Sequence, residues 1–328
     1  MSSESQLIDL LASGEVCSGT EIGAALGVSR VAVKKRITSL CDKGMPVTAI
    51  QGKGYRLIPD ADLLSDMQIR SRLARLDRSA VSELASIEVF QQCASTSGYL
   101  KTQELPTDGG VRVVLTEHQP EGQGRRGRGW QTTPYRNLMM TLGKRLSSWP
   151  PNPAGLSLAF AVAVHQVIAT AGAKTARIKW PNDILVDERK IAGLLVDASG
   201  EASGGCDLLF GVGINFFIDA QTGGKIDQPW HDMKSLKNAD MSRNQMAAGI
   251  IANMVETLDI YEAQGFKPFQ DYWNTHSAYV GEDVRLFNQQ AEYRGSLRGV
   301  DENGVLTLDG IDKKQYQFTQ ADVSLRPL

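Results

Sequence analysis

The spacing of apolar residues near the start of the chain predicts three short helices. Residues 5–13 place three leucines on one helical face, and a second helix begins at a cap supplied by Ser18 or Thr20. Gly27 provides a tight turn, and Ser29 then caps a third helix. The buried face of the third helix is formed by Val33, Ile37 and Leu40. Two helices joined by a tight turn in this way are typical of a helix-turn-helix.

A hairpin with a basic tip follows these helices. Residues 47–50 and 55–57 have strand character and are joined by a turn that contains Lys53 between two glycines. The segment from Arg30 to Arg56 holds seven basic residues and one acid, whereas residues 1–29 hold four acids and no Lys or Arg. A solvated basic helix is one explanation, but the turn and the wing-like hairpin favour a winged helix-turn-helix that binds DNA. The residues expected to contact DNA are Ser29, Arg30, Lys34, Lys35, Arg36 and Lys53.

Short β-rich runs alternate with longer helical runs beyond a linker predicted at residues 59–62. The predicted strands are 111–117, 138–142, 177–179, 184–187, 191–198 and 207–214. The predicted long helices are 156–173 and 243–264. Neighbouring strands with few intervening helices favour an α+β fold over a doubly wound parallel sheet. From about residue 280 the pattern predicts only short strands, with turns at Asn288, Asp301–Gly304 and Asp309–Gly310.

Composition narrows the class of protein. A chain of 328 residues has room for two or three domains, and its net charge of −2 means that any contact with nucleic acid comes from a local patch. The longest apolar stretch, 154–173, contains His165 and small polar residues, which favours a buried helix over a membrane span. The four cysteines and four histidines are widely scattered and form no metal-ligand spacing. We therefore expect a cytoplasmic protein with free thiols and no membrane partner.

The run from Glu121 to Trp130, EGQGRRGRGW, carries the strongest chemical signal in the chain. Its glycines allow the backbone to approach a ligand closely, and its guanidinium groups are donors suited to phosphate oxygens. We predict a loop that binds a nucleotide phosphate or an acyl phosphate and that this anion helps to order. A solvated Gly/Arg surface loop is the alternative.

The same loop matches the dinucleotide-binding fingerprint by letter, at Gly122, Gly124 and Gly127. That fingerprint requires a helix to follow, whereas residues 137–142 predict a strand. No Lys-Ser/Thr pair follows Gly127, so a Walker loop is also excluded. These departures rule out a plain nucleotide-binding dehydrogenase.

Four further clusters are candidates for a site. Residues 94–97 place three hydroxyls on a turn, where they suit a small polar ligand or cap a helix over 98–103. Residues 179–183, Lys-Trp-Pro-Asn-Asp, combine a cation, an amide and a carboxylate, although Pro-Asn-Asp is also ordinary turn chemistry. Residues 188–193 present a lysine at a hairpin end, and the glycines of 211–215 interrupt a strand, which often marks close ligand approach.

These motifs occur in the order seen in biotin protein ligases. With a winged helix in front of them, the chain resembles the bacterial family of bifunctional biotin protein ligases and biotin-operon repressors. The combination of the Lys-Trp-Pro-Asn-Asp run with the Gly/Arg loop is highly specific, and the resemblance covers essentially the whole chain. It implies a winged helix-turn-helix at 1–64, a mixed α/β biotin-ligase domain of the class II synthetase type at 65–275, and an SH3-like β-barrel at 276–328.

The resemblance also implies a reaction. Biotin and ATP would give biotinyl-5′-adenylate and pyrophosphate, and biotin would then pass to a lysine of the biotin carboxyl carrier protein of acetyl-CoA carboxylase. Because a carboxylate attacks a phosphate, cationic side chains and Mg²⁺ are expected to offset the repulsion. Biotin would also be the precursor of the corepressor, since the adenylate would promote a homodimer that binds operator DNA.

The family's motifs imply roles for individual residues. The implied catalytic residues are Arg125, Lys179, Asp183 and Lys190, with Asp183 as the candidate carboxylate to organise either Mg²⁺ or the incoming amine. The implied biotin-binding residues are Ser95, Thr96, Ser97, Gln119, Gln123, Gly124, Arg125, Lys190 and Gly193. The implied ATP- and adenylate-binding residues are Gly122, Arg125, Arg128, Trp130, Asn182, Asn215, Trp230 and Arg326. The segment 218–229 beside Trp230 would be a loop ordered by the adenylate, with an exposed connector as the alternative.

Two positions depart from the family pattern. Gln123 stands where an arginine is common, which affects retention of the adenylate, and Ser97 stands where an asparagine is usual, which affects affinity for biotin. We still expect an active ligase. The alternatives are a lipoate-type ligase and a biotin-sensing repressor whose ligase domain is catalytically impaired.

Overall fold

The chain forms two compact units in a computed structural model that describes residues 3–58, 62–76, 80–150, 152–200, 204–287, 291–319 and 324–328. One unit comprises residues 1–63 together with 133–136, and the other comprises 64–132 and 137–328. The C-terminal strands therefore belong to the same compact unit as the central sheet, and the three domain boundaries implied above stay predictions. Most of the predicted linker at 59–62 and the predicted turn at Asn288 lie outside the described residues.

The N-terminal unit contains three helices and a two-stranded hairpin. Its elements are α1 (Ser3–Ala12), α2 (Gly19–Leu26), α3 (Arg30–Asp42), β1 (Val47–Ile50) and β2 (Gly54–Leu57). Ser18 rather than Thr20 caps α2, because its Oγ accepts the Glu21 N–H at 3.1 Å while the Glu21 carboxylate accepts the Ser18 N–H at 2.8 Å. Gly27 ends α2 with a left-handed φ of 65°, and Ser29 caps α3.

A small apolar cluster holds this unit together. Val33, Ile37 and Leu40 of α3 are buried, as their spacing predicted, and pack in one cluster with apolar residues of α1 and α2. Tyr135, from the short segment 133–136 that belongs to this unit, is buried in the same cluster. That contribution from a distant part of the chain has no signature in the local pattern.

The larger unit is built on a seven-stranded sheet. Its elements up to the end of the helical region are α4 (Asp66–Arg75), α5 (Ala80–Glu83), β3 (Leu84–Phe90), α6 (Thr96–Leu100), β4 (Val111–Thr116), β5 (Leu138–Leu146), α7 (Pro153–Thr170), β6 (Arg177–Lys179), β7 (Asp183–Val186), β8 (Arg189–Gly200), β9 (Cys206–Ile214), α8 (Ala220–Gly223), α9 (Arg243–Gln264) and α10 (Lys267–Thr275). The strand order is β3-β4-β5-β9-β8-β7-β6; β3 and β4 are parallel, and the other neighbours are antiparallel. All six predicted strands are present, and the predicted α+β fold is confirmed. Strand β3 was not predicted.

Helix α7 is the apolar stretch that length and composition alone would allow to cross a membrane. In the structure 72% of its residues are buried, so the predicted buried helix is confirmed. It packs with α9 and against the sheet, which explains why it is apolar on nearly every side. Asn152 caps it by accepting the Gly155 N–H at 3.2 Å.

A five-stranded antiparallel sheet closes the larger unit. Its strands are β10 (Asp283–Phe287), β11 (Glu292–Val300), β12 (Leu306–Gly310), β13 (Gln315–Phe318) and β14 (Ser324–Pro327), in the order β13-β12-β11-β10-β14. The predicted turn at 301–304 is present: Asp301 Oδ1 accepts backbone N–H groups of Asn303 and Val305, and Gly304 has a positive φ of 77°. The small β domain agrees with the prediction, while closure into an SH3-like barrel stays a prediction.

Candidate functional site

A cavity of about 430 Å³ opens over strands β5, β8 and β9 and gathers most of the predicted site residues. The predicted residues in its wall are Ser95, Thr96, Ser97, Gln119, Gln123, Gly124, Arg125, Arg128, Trp130, Asn182, Asp183, Lys190, Gly193, Asn215 and Trp230. Three predicted residues lie outside the wall, namely Gly122, Lys179 and Arg326. The wall also contains residues to which the sequence analysis gave no individual role, including Met140, Thr141, Leu194, Leu195, Val212 and Lys225.

Glycines on one face of the sheet form the floor of this cavity. Gly193 and Gly213 are directly opposite each other on β8 and β9, and Gly211 lies two residues before Gly213 on the same face. A Cβ on Gly211 would lie 3.1 Å from the Ser97 Oγ, whereas a Cβ on Gly213 would lie 2.6 Å from the Trp130 ring. Ser97 and Trp130 therefore lie side by side along β9. Their separation is about 7 Å, which is the rise of a strand over two residues.

Ser95, Thr96 and Ser97 form a hydroxyl cluster that is both a helix cap and part of the cavity wall, the two alternatives proposed for residues 94–97. Ser95 caps α6, accepting the Gly98 N–H at 3.2 Å, and Thr96 and Ser97 are the first residues of that helix. Gln119 anchors the cluster, because its Oε1 accepts the Thr96 N–H at 2.8 Å. The turn is thus both a helix cap and part of the cavity wall, although the helix begins two residues earlier than predicted.

Trp130 fills the next position along the sheet. Its ring lies on the backbones of Gly193 and Gly213, where no side chain larger than hydrogen fits. The Lys190 ammonium lies 5.1 Å from the ring centroid, within cation–π range. The Nε1–H of Trp130 is buried and has no hydrogen-bond partner among the residues that the structure describes. An aromatic wall of this kind suits a planar ligand.

The Gly/Arg loop closes on itself through its own backbone. The Trp130 N–H donates to the Gly122 carbonyl at 2.8 Å, and the Gly124 N–H donates to the Arg128 carbonyl at 2.7 Å. Between them a single 3₁₀ turn, Arg125–Gly127, is tightened by positive φ angles at Arg126 and Gly127. Composition did not predict this folded turn, and the expectation that an anion orders the loop stays a prediction. Gly122 packs closely against the Gln119 side chain, because a Cβ at position 122 would lie 2.8 Å from the Gln119 amide nitrogen.

Lys190 and Asp183 form an ion pair at the edge of the cavity. The Lys190 Nζ lies 2.7 Å from the Asp183 Oδ1, and both side chains are mostly buried. Lys179, on the neighbouring strand, is half-buried, and burial lowers its pKa from the ordinary value. The Asp183 charge opposes that shift. Neighbouring cations add to the lowering of the Lys179 pKa, namely Lys190, Arg326 and Arg128. Although Lys179 and Arg326 lie outside the cavity wall, both contribute positive electrostatic potential to the cavity.

The two predicted asparagines use their amides to hold backbone. The Asn182 Nδ2 donates to the Leu194 carbonyl at 2.6 Å. The Asn215 Nδ2 donates to the carbonyls of His231 at 3.1 Å and Lys190 at 3.3 Å. These amide nitrogens position the strands that carry the cationic residues, so the structure assigns them a supporting contact in addition to their place in the cavity wall.

The segment 218–229 is folded rather than extended. Asp219 caps the short helix α8 by accepting the Thr222 N–H at 2.7 Å, and Trp230 covers Gly223, where a Cβ would lie 2.5 Å from its ring. Backbone hydrogen bonds join both sides of Trp230 to Lys190, since the Lys190 N–H donates to the Pro229 carbonyl and the His231 N–H to the Lys190 carbonyl. Lys190 therefore pairs with Trp230 through its backbone and contacts the Trp130 ring through its ammonium group.

A buried polar junction, which sequence reasoning missed, lies beside these loops. The Arg243 Nη1 donates to the Glu117 carboxylate at 2.6 Å and to the Asn137 carbonyl at 3.0 Å. The Asn137 Oδ1 accepts the backbone N–H groups of Phe216 and Phe217. The junction thus joins the ends of β4 and β9 and the start of β5, the points where both cavity loops leave the sheet. Glu117 follows the apolar strand β4 and Arg243 begins the largely buried helix α9, and neither position by itself indicates the other.

The predicted DNA-binding residues lie in the N-terminal unit. Arg30, Lys34, Lys35 and Lys53 are exposed, as direct contact with phosphates or bases requires. Arg36 is half-buried, and Ser29 uses its Oγ to accept the Ala32 N–H at 3.2 Å. Among the described residues of α3, Val31 is a large apolar side chain that is also exposed, at 69%.

No group of three or more His, Cys, Asp or Glu side chains suited to a metal ion occurs in the part of the chain that the structure describes. All four cysteines are free, as predicted. A protein-built metal cage is therefore absent from these residues. Among the described residues, the wall of the cavity contains two carboxylates, Asp183 and Asp227, and Asp183 is the one paired with Lys190.

Comparison with known proteins shows where this architecture occurs. A model described as "HTH domain" matches residues 4–56, and one described as "Biotin/lipoate A/B protein ligase family" matches residues 89–215. The chain is 33% identical over 323 residues to "Bifunctional ligase/repressor BirA" of Escherichia coli, covering 98% of this chain and 96% of that one. The chain belongs to the bifunctional biotin ligase/repressor family. The predicted family, fold class and enzyme class are thereby confirmed.

Further relatives agree. "Bifunctional ligase/repressor BirA" of Bacillus subtilis is 31% identical, with 97% of each chain covered. The solved structure "Biotin protein ligase from Aquifex aeolicus in complex with biotin and ATP" shares the fold with a TM-score of 0.63 at 21% identity, covering 75% of this chain and 100% of that one. The family match over nearly the whole chain disfavours the lipoate-type alternative.

Proposed function

We propose that this chain activates biotin with ATP in the cavity over β5, β8 and β9, and transfers it to a lysine of the biotin carboxyl carrier protein of acetyl-CoA carboxylase. The observation that carries the proposal is the change in the side chains that lie over β9, from polar hydroxyls at Gly211 to an aromatic ring at Gly213. Hydrogen-bonding hydroxyls lie beside Gly211, and an aromatic ring with a lysine above it lies beside Gly213. Such an arrangement suits a small molecule with a polar ring at one end and a carboxylate at the other.

In the first half-reaction the biotin carboxylate attacks the α-phosphorus of ATP and pyrophosphate leaves. Two anions meet in this step, so its barrier falls when fixed cations lie where negative charge accumulates. Lys190, held by Asp183 and by Trp130, is the best-positioned cation for the carboxylate and the phosphate. Arg125 and Arg128 project from the Gly/Arg loop into the same cavity and supply further donors to phosphate oxygens.

In the second half-reaction the acceptor lysine attacks the acyl carbonyl and AMP leaves. The attacking amine must be neutral, so a carboxylate at the cavity edge is suited to receive its proton, and Asp183 is the candidate. The loops that bear Trp130 and Trp230 cover the ligand and keep water from the mixed anhydride. Trp230 supplies the flat surface for adenine, and Lys179 and Arg326 contribute charge from outside the wall.

Mg²⁺ fits this site as a companion of ATP rather than as a resident ion. Magnesium in nucleotide sites is held by one or two carboxylates together with substrate phosphates, and Asp183 is a carboxylate of that kind in the wall. When bound, the ion would neutralise phosphate charge. Asp183 would hold the ion together with the phosphates of the substrate.

The N-terminal unit makes the same chain a regulator. The exposed cations of α3 and the hairpin tip suit DNA phosphates, with α3 in the major groove. We propose that the adenylate stabilises a homodimer that binds the two halves of an operator, so that acceptor protein relieves repression by consuming the adenylate. Free cysteines agree with a cytoplasmic location.

The deciding experiment follows transfer of biotin by mass. A biotin carboxyl carrier domain is incubated with this chain, biotin, ATP and Mg²⁺, and its intact mass is recorded. We expect a gain of one biotin that requires ATP and is lost or strongly reduced in Arg125→Ala. If the mass does not increase while biotin still binds, the chain is the catalytically impaired sensor. Gln123, which stands where an arginine is common in the family, would then account for the lost activity. Failure to bind biotin at all would contradict the proposal.

A further inference from the structure

Thr141 is a fully buried residue of β5 that lies in the cavity wall and that no motif pointed to. Its Oγ1 lies 2.8 Å from the Thr96 Oγ1 and 3.0 Å from the Ser97 Oγ. The Thr96 Oγ1 in turn lies 3.0 Å from the Gln119 Oε1. Four polar side chains therefore form one continuous chain of hydrogen bonds, with Ser97 at one end and Gln119 at the other.

The direction of the protons in this chain follows from its Gln119 end. The Gln119 Oε1 accepts the backbone N–H of Thr96, which fixes the orientation of the amide, and an amide oxygen only accepts. The Thr96 hydroxyl must therefore give its single proton to Gln119. Each hydroxyl has one proton, so Thr141 must donate to Thr96, and Ser97 must donate to Thr141.

The same direction decides what each end presents to the cavity. The Ser97 proton points inward to Thr141, so its outward-facing atom is an oxygen with unused lone pairs. Gln119 uses its oxygen inward, which leaves the amide nitrogen, a donor, for a ligand. The wall thus has an acceptor at Ser97 and a donor at Gln119.

Gly211 makes the contact possible. It is directly opposite Thr141 across β5 and β9, so the two residues face the same side of the sheet. A Cβ on Gly211 would lie 3.1 Å from the Ser97 Oγ, and the missing side chain is what lets Ser97 reach Thr141. Gly211 on β9 leaves the space for Ser97, and Thr141 on β5 makes the hydrogen bond with it.

We propose that Thr141 is a positioning residue that sets ligand specificity: by accepting the Ser97 proton it makes Ser97 a hydrogen-bond acceptor, which selects a ring that carries an N–H donor at that place. This inference rests on the proposed function, because the ureido ring of biotin supplies such a donor. A ring without a donor, such as the dithiolane of lipoate, leaves the Ser97 oxygen unpaired, which is unfavourable in a buried site. The smaller hydroxyl at position 97 serves the ring only because Thr141 orients it.

The test compares Thr141→Val with Thr141→Ser. Valine has nearly the same shape but cannot accept the Ser97 proton or donate to Thr96, whereas serine keeps both hydrogen bonds. Dissociation constants are measured by calorimetry without ATP, so that adenylation does not intervene, for biotin and for biotin methylated on the ureido nitrogens. Desthiobiotin, which keeps the ureido group but lacks the sulfur, serves as a matched ligand control.

We expect Thr141→Val to bind biotin and desthiobiotin about 10-fold more weakly, equivalent to ~1.4 kcal/mol, and Thr141→Ser to stay within about 3-fold of the parent chain. The discrimination between biotin and its N-methylated form should shrink by a similar factor in Thr141→Val, because Ser97 is then free to turn its proton outward. In that background Ser97→Ala should have little further effect, whereas alone it should weaken binding.

Several results would overturn the inference. Wild-type affinity and discrimination in Thr141→Val would show that the proton direction is irrelevant, and equal losses in the valine and serine variants would indicate that the threonine methyl acts by packing. Thermal unfolding of each variant separates these outcomes from a folding defect, since an intact fold with lost discrimination is the specific expectation. If the parent chain itself fails to bind biotin, the proposed function fails, and this inference falls with it for that separate reason.

Discussion

The buried ion pair between Arg243 and Glu117 allows a quantitative test of how the larger unit is held together. The two side chains are 2% and 1% exposed, and their closest contact is 2.6 Å. Glu117 also accepts the backbone N–H of Leu64 at 2.7 Å, and Arg243 also donates to the Asn137 carbonyl. Arg243→Met removes the cation and leaves a buried carboxylate without its counter-charge.

The expected cost follows from that burial. Removing one partner of a buried, hydrogen-bonded pair typically destabilises a protein by about 3–5 kcal/mol, because the remaining charge is desolvated and uncompensated. We therefore expect Arg243→Met to lower the free energy of unfolding by about that amount. Adding Glu117→Gln removes the orphaned charge but keeps an oxygen for Leu64, so the double variant should recover roughly 1–2 kcal/mol of the loss.

The tryptophans make the assay specific for the larger unit. All five, at positions 130, 149, 180, 230 and 273, belong to it, so denaturant unfolding followed by selectively excited tryptophan fluorescence does not report the N-terminal unit. Lys267→Met is the matched control, since it breaks an exposed pair with Glu302 and should cost under about 0.5 kcal/mol. The reasoning is refuted if Arg243→Met costs no more than the control, or if the double variant is less stable than Arg243→Met.

Three other predictions concern the cavity, the pH dependence and DNA binding. Gly213→Ala places a methyl group 2.6 Å from the Trp130 ring and should weaken adenylate binding about 10-fold or more by calorimetry; unchanged binding would show that Trp130 is not a wall of the ligand site. Burial lowers the pKa of His165 to about 4, so only the unfolded chain takes up its proton between pH 6.5 and 4 and stability falls as the pH falls through that window. His165→Gln should reduce the loss between pH 7.5 and 5 by about 2 kcal/mol in fluorescence-monitored unfolding, and an unaltered slope would contradict this cause. Lys35→Ala should reduce the salt slope of binding to a DNA duplex by about one, whereas Lys43→Ala, whose ammonium is already paired with Glu4 at 2.7 Å, should not; equal effects would argue against α3 as the contact surface.

Local patterns were sufficient where a segment is stabilised by its own residues. The cap at Ser29, the turn at Gly27 and the apolar face of α3 all follow from spacing, because helix ends and helix faces are decided within a few residues. The six predicted strands were recognised from short β-rich runs, whereas their order in the sheet depends on pairing with distant segments. Strand β3 (Leu84–Phe90) was not predicted, and its place in the sheet is decided by its parallel pairing with β4.

The site was partly predictable for a different reason. Closely spaced glycines lose much conformational entropy on folding, and closely spaced arginines are suited to bind anions. These residues, together with the Lys-Trp-Pro-Asn-Asp run, therefore indicated where the chain approaches a ligand. Most of these residues do line one cavity. Gly122, Lys179 and Arg326 do not, and a linear motif cannot separate a residue that touches the cavity from one that supports or charges it from behind.

The sequence by itself determined the N-terminal helix-turn-helix, the family, the buried nature of α7 and the identity of most cavity residues, since each depends on short-range pattern or on motif. Only the tertiary structure decided which groups act together. Thr141, 44 residues from Ser97, meets it because β5 and β9 are paired and Gly211 leaves room. Arg243, 126 residues from Glu117, joins it because both are buried at the same end of the sheet. Such contacts are made by strand register and by burial across long separations in the chain, and no local periodicity records them.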